Sequence, residues 1–157
     1  MIFEQELIVI ISAAAPISEV RGAIPLAVFL FGFHPAKAFA LGVLGNLLPI
    51  LPLLIFLEHF SDLLMRRSYF FNRLLTWLFE YTRKNHADHF HYWGWAPLAL
   101  FIFVAIPLPL TGGWSGALAA FIFGIPLWRA FSTISLGVFT AGLIVLALTL
   151  LGVYTFT

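Results

Sequence analysis

Cysteine is absent from the 157 residues, which excludes disulfides, thiolate metal centres and thiol nucleophiles. Charge is scarce as well. Asp, Glu, Lys and Arg make up 10% of the chain against 62% hydrophobic residues, whereas a soluble domain carries about a quarter charged. A water-soluble globule is therefore excluded, and the composition reads as an integral membrane protein forming one compact bundle. Met1 to Glu6 holds Glu4 and Glu6 but no Lys or Arg, and the apolar run behind it is short. The N-terminus thus does not read as a secretory signal, although Ala13-Ala14-Ala15 has the small-residue character of a cleavage site. The formal net charge of +1 is uninformative. The placement of the charges is not.

One polar stretch, Pro16-Ile17-Ser18-Glu19-Val20-Arg21-Gly22-Ala23-Ile24-Pro25, interrupts the greasy N-terminal third. The apolar runs beside it, Leu7 to Ala15 and Leu26 to Phe33, are each too short to cross a bilayer, which takes about 20 helical residues. Pro16, Gly22 and Pro25 are expected to break the helix where a full charge pair sits. Each charge at bilayer depth costs about 2.5–3.5 kcal/mol, and irregular backbone there must be buried in protein or line a cavity.

A loop around Gly32 to Lys37 precedes an expected span, Ala38 to Leu57, interrupted by Asn46, Pro49 and Pro52. Ala38, Gly42 and Gly45 lie near small-xxx-small spacing, which lets a neighbouring helix approach closely. Residues 58–93 hold most of the charge, including Arg66, Arg67, Arg73, Arg83 and Lys84. Apolar and aromatic residues such as Leu74, Trp77, Leu78 and Tyr81 recur between them at near-helical spacing. This is expected to be an amphipathic helix on the membrane surface, on the cytoplasmic side by the positive-inside rule. The second greasy stretch, Ala96 to Pro126, carries no charge and is expected to break at Pro107-Leu108-Pro109-Leu110-Thr111-Gly112-Gly113-Trp114-Ser115-Gly116, where three glycines permit an open backbone. Arg129 follows, and then a long apolar span from Ala130 to Val153.

Sliding the chain by 92 positions superposes its halves. Leu26-Ala27 meets Leu118-Ala119, Phe31-Gly32 meets Phe123-Gly124, Lys37-Ala38-Phe39 meets Arg129-Ala130-Phe131, and Gly45 meets Gly137. With a one-residue slip, Pro16 pairs with Pro107 and Gly22 with Gly113. The division is repeat 1 over 1–57, a linker over 58–93 and repeat 2 over 94–157. Repeats with a broken segment in corresponding places point to a transporter binding site. Two topologies fit. If each broken stretch is a re-entrant hairpin, the halves are inverted and both termini lie outside. If each is a kinked full crossing, the halves are parallel and both termini lie inside. Charge favours the first, which leaves only Lys37 among the loop cations outside. The expected fold is all-α and integral to the membrane, with two inverted repeats joined by a cytoplasmic amphipathic helix.

Glu19-Val20-Arg21-Gly22-Ala23-Ile24-Pro25, Gly45-Asn46 with Pro49, Ala105-Ile106-Pro107-Leu108-Pro109 and Thr111-Gly112-Gly113-Trp114-Ser115-Gly116-Ala117 together resemble the small multidrug export protein family. That family is related to the DedA/VTT superfamily. The resemblance covers nearly the whole chain. It implies two facing re-entrant hairpins in a bacterial inner membrane, and relatives of the DedA type are associated with proton-coupled movement of lipid carriers. Leu110, where glycine is expected, departs from the pattern, as does a linker carrying His86, His89 and His91.

Glu19 and Arg21 are the leading site candidates. Glu19 is read as a proton carrier, with burial favouring its neutral form and Arg21 its charged one. Arg21 is read as the binder of an anionic head group. The alternative is a structural ion pair that locks the hairpin. Thr111, Trp114, Ser115 and the exposed glycine backbone would supply hydroxyls and N–H groups from the facing side, or merely pack. Asn46, mid-span, needs a partner, either the facing hairpin or a ligand. Pro16, Gly22, Pro25, Pro107, Pro109, Gly112, Gly113 and Gly116 are expected to shape the hairpins.

His86, Asp88, His89 and His91 match no metal-site spacing and read as a wet interfacial cluster, so neither a metal nor a cofactor is expected. Gly113-Trp114-Ser115-Gly116 has the look of a serine-protease motif, but no histidine lies within either span to act as its base. The expected function is therefore transport of an anionic amphiphile or lipid phosphate, with protons as a coupling ion, and not enzymatic. A membrane assembly factor is the alternative. Membrane lipids are the expected partners of the basic helix, rather than nucleic acid. Two full spans make a thin wall around any pathway, so a homo-oligomer is expected.

Overall fold

In the computed structural model, the two polar stretches each contain a helix break, and most of the prolines and glycines are absorbed into helices. The structure describes residues 2–67, 89–108 and 111–156. Among these there are six helices and no strand: α1 (Ile2–Ala14), α2 (Glu19–Phe29), α3 (Pro35–Arg67), α4 (His89–Ala105), α5 (Gly113–Ile122) and α6 (Leu127–Phe156). Residues 68–88, most of the expected surface helix with His86 and Asp88, lie outside the described residues, as do Pro109 and Leu110.

The first break is narrower than the sequence suggests. It occupies Ala15 to Ser18, and Gly22 and Pro25 sit inside α2. Pro25 costs the helix one N–H donor, a loss that a short helix packed on its neighbours can absorb. The described residues of the second break are Ile106, Pro107, Leu108, Thr111 and Gly112, with Gly113 and Gly116 inside α5. Pro49 and Pro52 likewise fail to end α3, which continues beyond the expected limit at Leu57 to Arg67. No glycine or proline occurs between Leu57 and Arg67 to stop it.

Two stretches are long and apolar enough to cross a membrane, Pro35–His59 of α3 and Leu127–Gly152 of α6. At 13, 11 and 10 residues, α1, α2 and α5 fall well short of the roughly 20 that a crossing needs. Their course follows from contacts. Glu6 of α1 pairs with Lys37 of α3 at 2.5 Å, and further along both helices Ile10 and Ala13 lie against Gly45. So α1 runs beside α3 in the same direction. Then α2 comes back: its Ile24 lies on Gly42, and Ala27 joins Ala38 in one buried cluster with Val9, Ala13 and Ala23. The turn between α1 and α2 therefore lies about level with Asn46, roughly 16 Å along α3 at about 1.5 Å per residue.

The second long helix runs against the first. Phe39 and Phe139 meet edge to face with centroids 5.1 Å apart. Gly142 lies against Phe39 and Val43, and Gly152 faces Phe29. Contacts of the first half recur 91 or 92 positions on. Gly45 is met by the Ile10 carbonyl and Ala13, and Gly137 by the Phe101 carbonyl and Val104. Ile24 meets Gly42, while Gly116 meets Ile134, the same two positions with glycine and isoleucine exchanged. Gly32 and Gly124 both take left-handed φ values, +62° and +64°, just after α2 and α5, a conformation that costs glycine little.

The main buried cluster joins Val20, Ile24, Ile50, Val104, Ala117 and Ile134 across five helices. Leucines such as Leu44, Leu48, Leu136, Leu143 and Leu148 are exposed on the outer faces of α3 and α6, a pattern suited to a surrounding of lipid rather than water.

The small-residue packing makes a graded prediction. A methyl at Gly45 would lie 2.8 Å from the Ile10 carbonyl oxygen, whereas one at Gly42 meets only the Ile24 side chain. Gly45→Ala should cost about 1–3 kcal/mol by overpacking, and Gly42→Ala clearly less. Thermal midpoints of the two variants in detergent check the order.

Candidate functional site

Two residues apart on a regular helix, Glu19 and Arg21 would point to different sides. They meet because Glu19, the first residue of α2, has φ +47°, a left-handed conformation. For a residue other than glycine this costs about 1–3 kcal/mol and persists only where surrounding contacts over-determine it. Here Arg21 Nη2 donates to Glu19 Oε2 at 2.9 Å. Ser18, just ahead, donates through Oγ to the Ser12 carbonyl and fixes the turn. The Glu19 side chain is almost fully buried at 3% exposed, and that of Arg21 is 20% exposed.

The second break supplies the other wall. The Thr111 hydroxyl lies 2.6 Å from the Ile106 carbonyl and 2.8 Å from the Leu108 carbonyl, and accepts from the Leu108 N–H at 3.1 Å. It staples the loop instead of facing Glu19. What the staple presents to α2 is the Thr111 carbonyl, which accepts from Arg21 Nη2. Gly112 then brings the backbone against Glu19. A β-carbon there would lie 2.5 Å from the carboxyl carbon, so glycine is required by space.

The backbone N–H groups of Gly113 and Trp114 donate toward the Glu19 carboxylate, Trp114 N at 3.4 Å from Oε1. These belong to the first turn of α5, where N–H groups have no partner within the helix and the helix end is partially positive. An anion is well placed there. The Trp114 indole Nε1 donates to the Ala14 carbonyl at 3.0 Å, satisfying an acceptor at the end of α1. Glu19, Arg21, the 111–112 backbone and Trp114 thus form one cross-link between the two broken segments.

Asn46 adjoins it. The residue is fully buried, and neither side-chain polar atom has a hydrogen-bond partner among the described residues. The amide lies on the first residue of α5: a β-carbon at Gly113 would sit 2.6 Å from Asn46 Oδ1. The facing segment therefore touches Asn46 without bonding it. Ser115 stands aside, its Oγ 3.4 Å from the Gly112 carbonyl. Pro16 lies in the first turn and Pro107 in the second break, while Gly116 admits Val104. Pro109 lies outside the described residues. No group of three or more metal-ligating side chains occurs among the described residues.

Residues 19–144, well over half of the chain, match the family model described as "Putative small multi-drug export protein". The chain belongs to this family. The match opens on Glu19 itself and takes in Arg21, Asn46 and the whole second break. No curated protein and no solved structure matches the chain.

Two contributions had no signal in residue type: the Thr111 carbonyl and the Ala14 carbonyl. Each is main-chain chemistry and becomes visible only when the segments meet. The indole contact is testable. Trp114→Phe keeps an aromatic ring but leaves the Ala14 carbonyl without its donor, which should cost about 1–3 kcal/mol. A lowered thermal midpoint in detergent, with the protein still monodisperse, is the expected result.

Proposed function

We propose that the protein is a membrane exporter of amphiphiles bearing an anionic group, built from two inverted halves whose broken segments are re-entrant. The observation that carries this reading is the charge pair buried where the two broken segments meet, about halfway along the apolar stretch Pro35–His59 of α3. A bilayer core is about 30 Å thick, so a point roughly 16 Å along a spanning helix is near its centre. Ionisable groups at that depth are expensive and typically mark a transport pathway. Arg21 presents a fork of donors matched to carboxylate or phosphate. Glu19 carries the coupling proton, and Thr111, Gly112 and the first turn of α5 close the site from the opposite half.

Several features support inversion. Equivalent contacts at Gly45 and Gly137 recur on long helices that run in opposite directions. A first hairpin that starts and ends beside the beginning of α3 is re-entrant rather than crossing. A homo-oligomer completes the wall on the exposed leucine faces, and the basic segment 58–93 lies on the cytoplasmic side of a bacterial inner membrane, against anionic lipid. A lipid phosphate of the kind moved by DedA-type proteins is one candidate substrate. The assembly-factor alternative loses its docking surface, because Ala38, Gly42 and Gly45 are covered by the chain's own α1 and α2.

Glu19→Gln and Arg21→Ala should insert normally and fail in an export or drug-resistance assay, each losing most of the activity. Full activity in both variants would sink the mechanism. Reporters fused before Met1 and after Thr157 should place both termini on the side opposite residues 58–93.

A further inference from the structure

The anion-binding features of the site are already occupied, and the occupant belongs to the chain. The Glu19 carboxylate takes one donor from Arg21 and lies at the N–H groups of Gly113 and Trp114. Beside them the buried Asn46 amide has no partner, although it lies on the first residue of α5. A buried amide whose Nδ2 donor and Oδ1 acceptor are both unbonded, with Oδ1 toward the entry of a ten-residue helix, points to a guest larger than one carboxylate group.

We infer that Glu19 is an internal stand-in for the substrate's oxyanion, so that an entering anion displaces it and Glu19 takes up one proton as it leaves. The entering group would receive Arg21, the first-turn N–H groups of α5 and, once the unbonded amide turns about its terminal bond, the Asn46 Nδ2 donor. This rests on the proposed role of Arg21 as the anion binder. The proton follows from charge. With Glu19 ionised, the pair is neutral. A second anion beside one guanidinium would leave an unpaired charge buried at bilayer depth, which is strongly disfavoured. Protonation of the displaced carboxylate restores neutrality.

Among the described residues no other charged group is arranged to take the proton's part. On α2 only Arg21 accompanies Glu19. On α1, Glu4 and Glu6 lie toward its start, and Glu6 pairs with Lys37 at the start of α3. Glu58 and His59 lie three turns of α3 beyond Asn46, Arg129 stands in the first turn of α6, and α5 has no titratable side chain.

The test is binding to the purified full chain in nanodiscs of zwitterionic lipid, with decyl sulfonate as probe, because its head group does not titrate near neutrality. Isothermal titration in buffers of different ionisation enthalpy reads the protons taken up per anion bound. Wild type should bind more weakly as pH rises, by about tenfold per unit where Glu19 is ionised in the empty site, with uptake approaching one proton. Glu19→Gln should bind independently of pH and at least as tightly as wild type at the low end. Arg21→Ala should not bind, which also controls for partitioning into lipid. Inorganic sulfate in parallel separates the two sources of an oxyanion: equal binding means a free anion, and binding of decyl sulfonate alone means an amphiphile head group.

PH-independent binding by wild type without proton uptake would overturn the inference while leaving Arg21 as the anion binder. Loss of binding in a monodisperse Glu19→Gln protein would overturn it too. Absence of binding by wild type at every pH would instead remove the anion role from the proposed function, and this inference with it. If Glu19→Gln fails to fold, proton uptake by wild type decides alone.

Discussion

The arrangement depends on one buried ion pair held across a junction of main-chain ends. Glu19 and Arg21 are only two residues apart, yet they join segments about ninety residues distant, because Arg21 also donates to the Thr111 carbonyl. Neither charge would be tolerable there alone. Partner removal strands the other charge in a low-dielectric interior, a loss of about 3–5 kcal/mol in buried pairs. The strained backbone at Glu19, the glycine at 112 and the first turn of α5 are all consequences of satisfying that one carboxylate.

Such a junction is a weak way to gain stability and a strong way to fix geometry. Buried pairs often do no better energetically than apolar residues of similar volume. Most of the packing free energy lies elsewhere, in the cluster around Ile24, Ile50, Val104 and Ile134 and in the small-residue contacts at Gly45 and Gly137. Those contacts hold the two long helices and the broken segments together independently of the junction.

Much of this was legible in the residues. Composition identified the membrane, the match between Gly45 and Gly137 anticipated equivalent packing positions, and the isolated Glu19–Arg21 pair pointed to the place where the segments meet. Other features misled for physical reasons. Gly22, Pro25, Pro49 and Pro52 read as breakers because propensity was measured in water, whereas tertiary packing and an apolar surrounding keep these helices intact. The Thr111 hydroxyl read as a ligand, but short polar side chains satisfy nearby main chain first. The extension of α3 to Arg67 was hidden because a rise in charge was taken for a change of element.

The prolines of α3 have a mechanical meaning. Pro49 has no N–H to offer the Gly45 carbonyl and Pro52 none for Leu48, so this span lacks two rungs of its ladder within one turn of Asn46. The opposing span, Leu127 to Phe156, has no proline at all. Two halves that share a packing plan are therefore unequal in stiffness. A helix short of two hydrogen bonds within its apolar stretch bends more easily than one whose ladder is whole, so compliance in this bundle belongs to α3 and rigidity to α6.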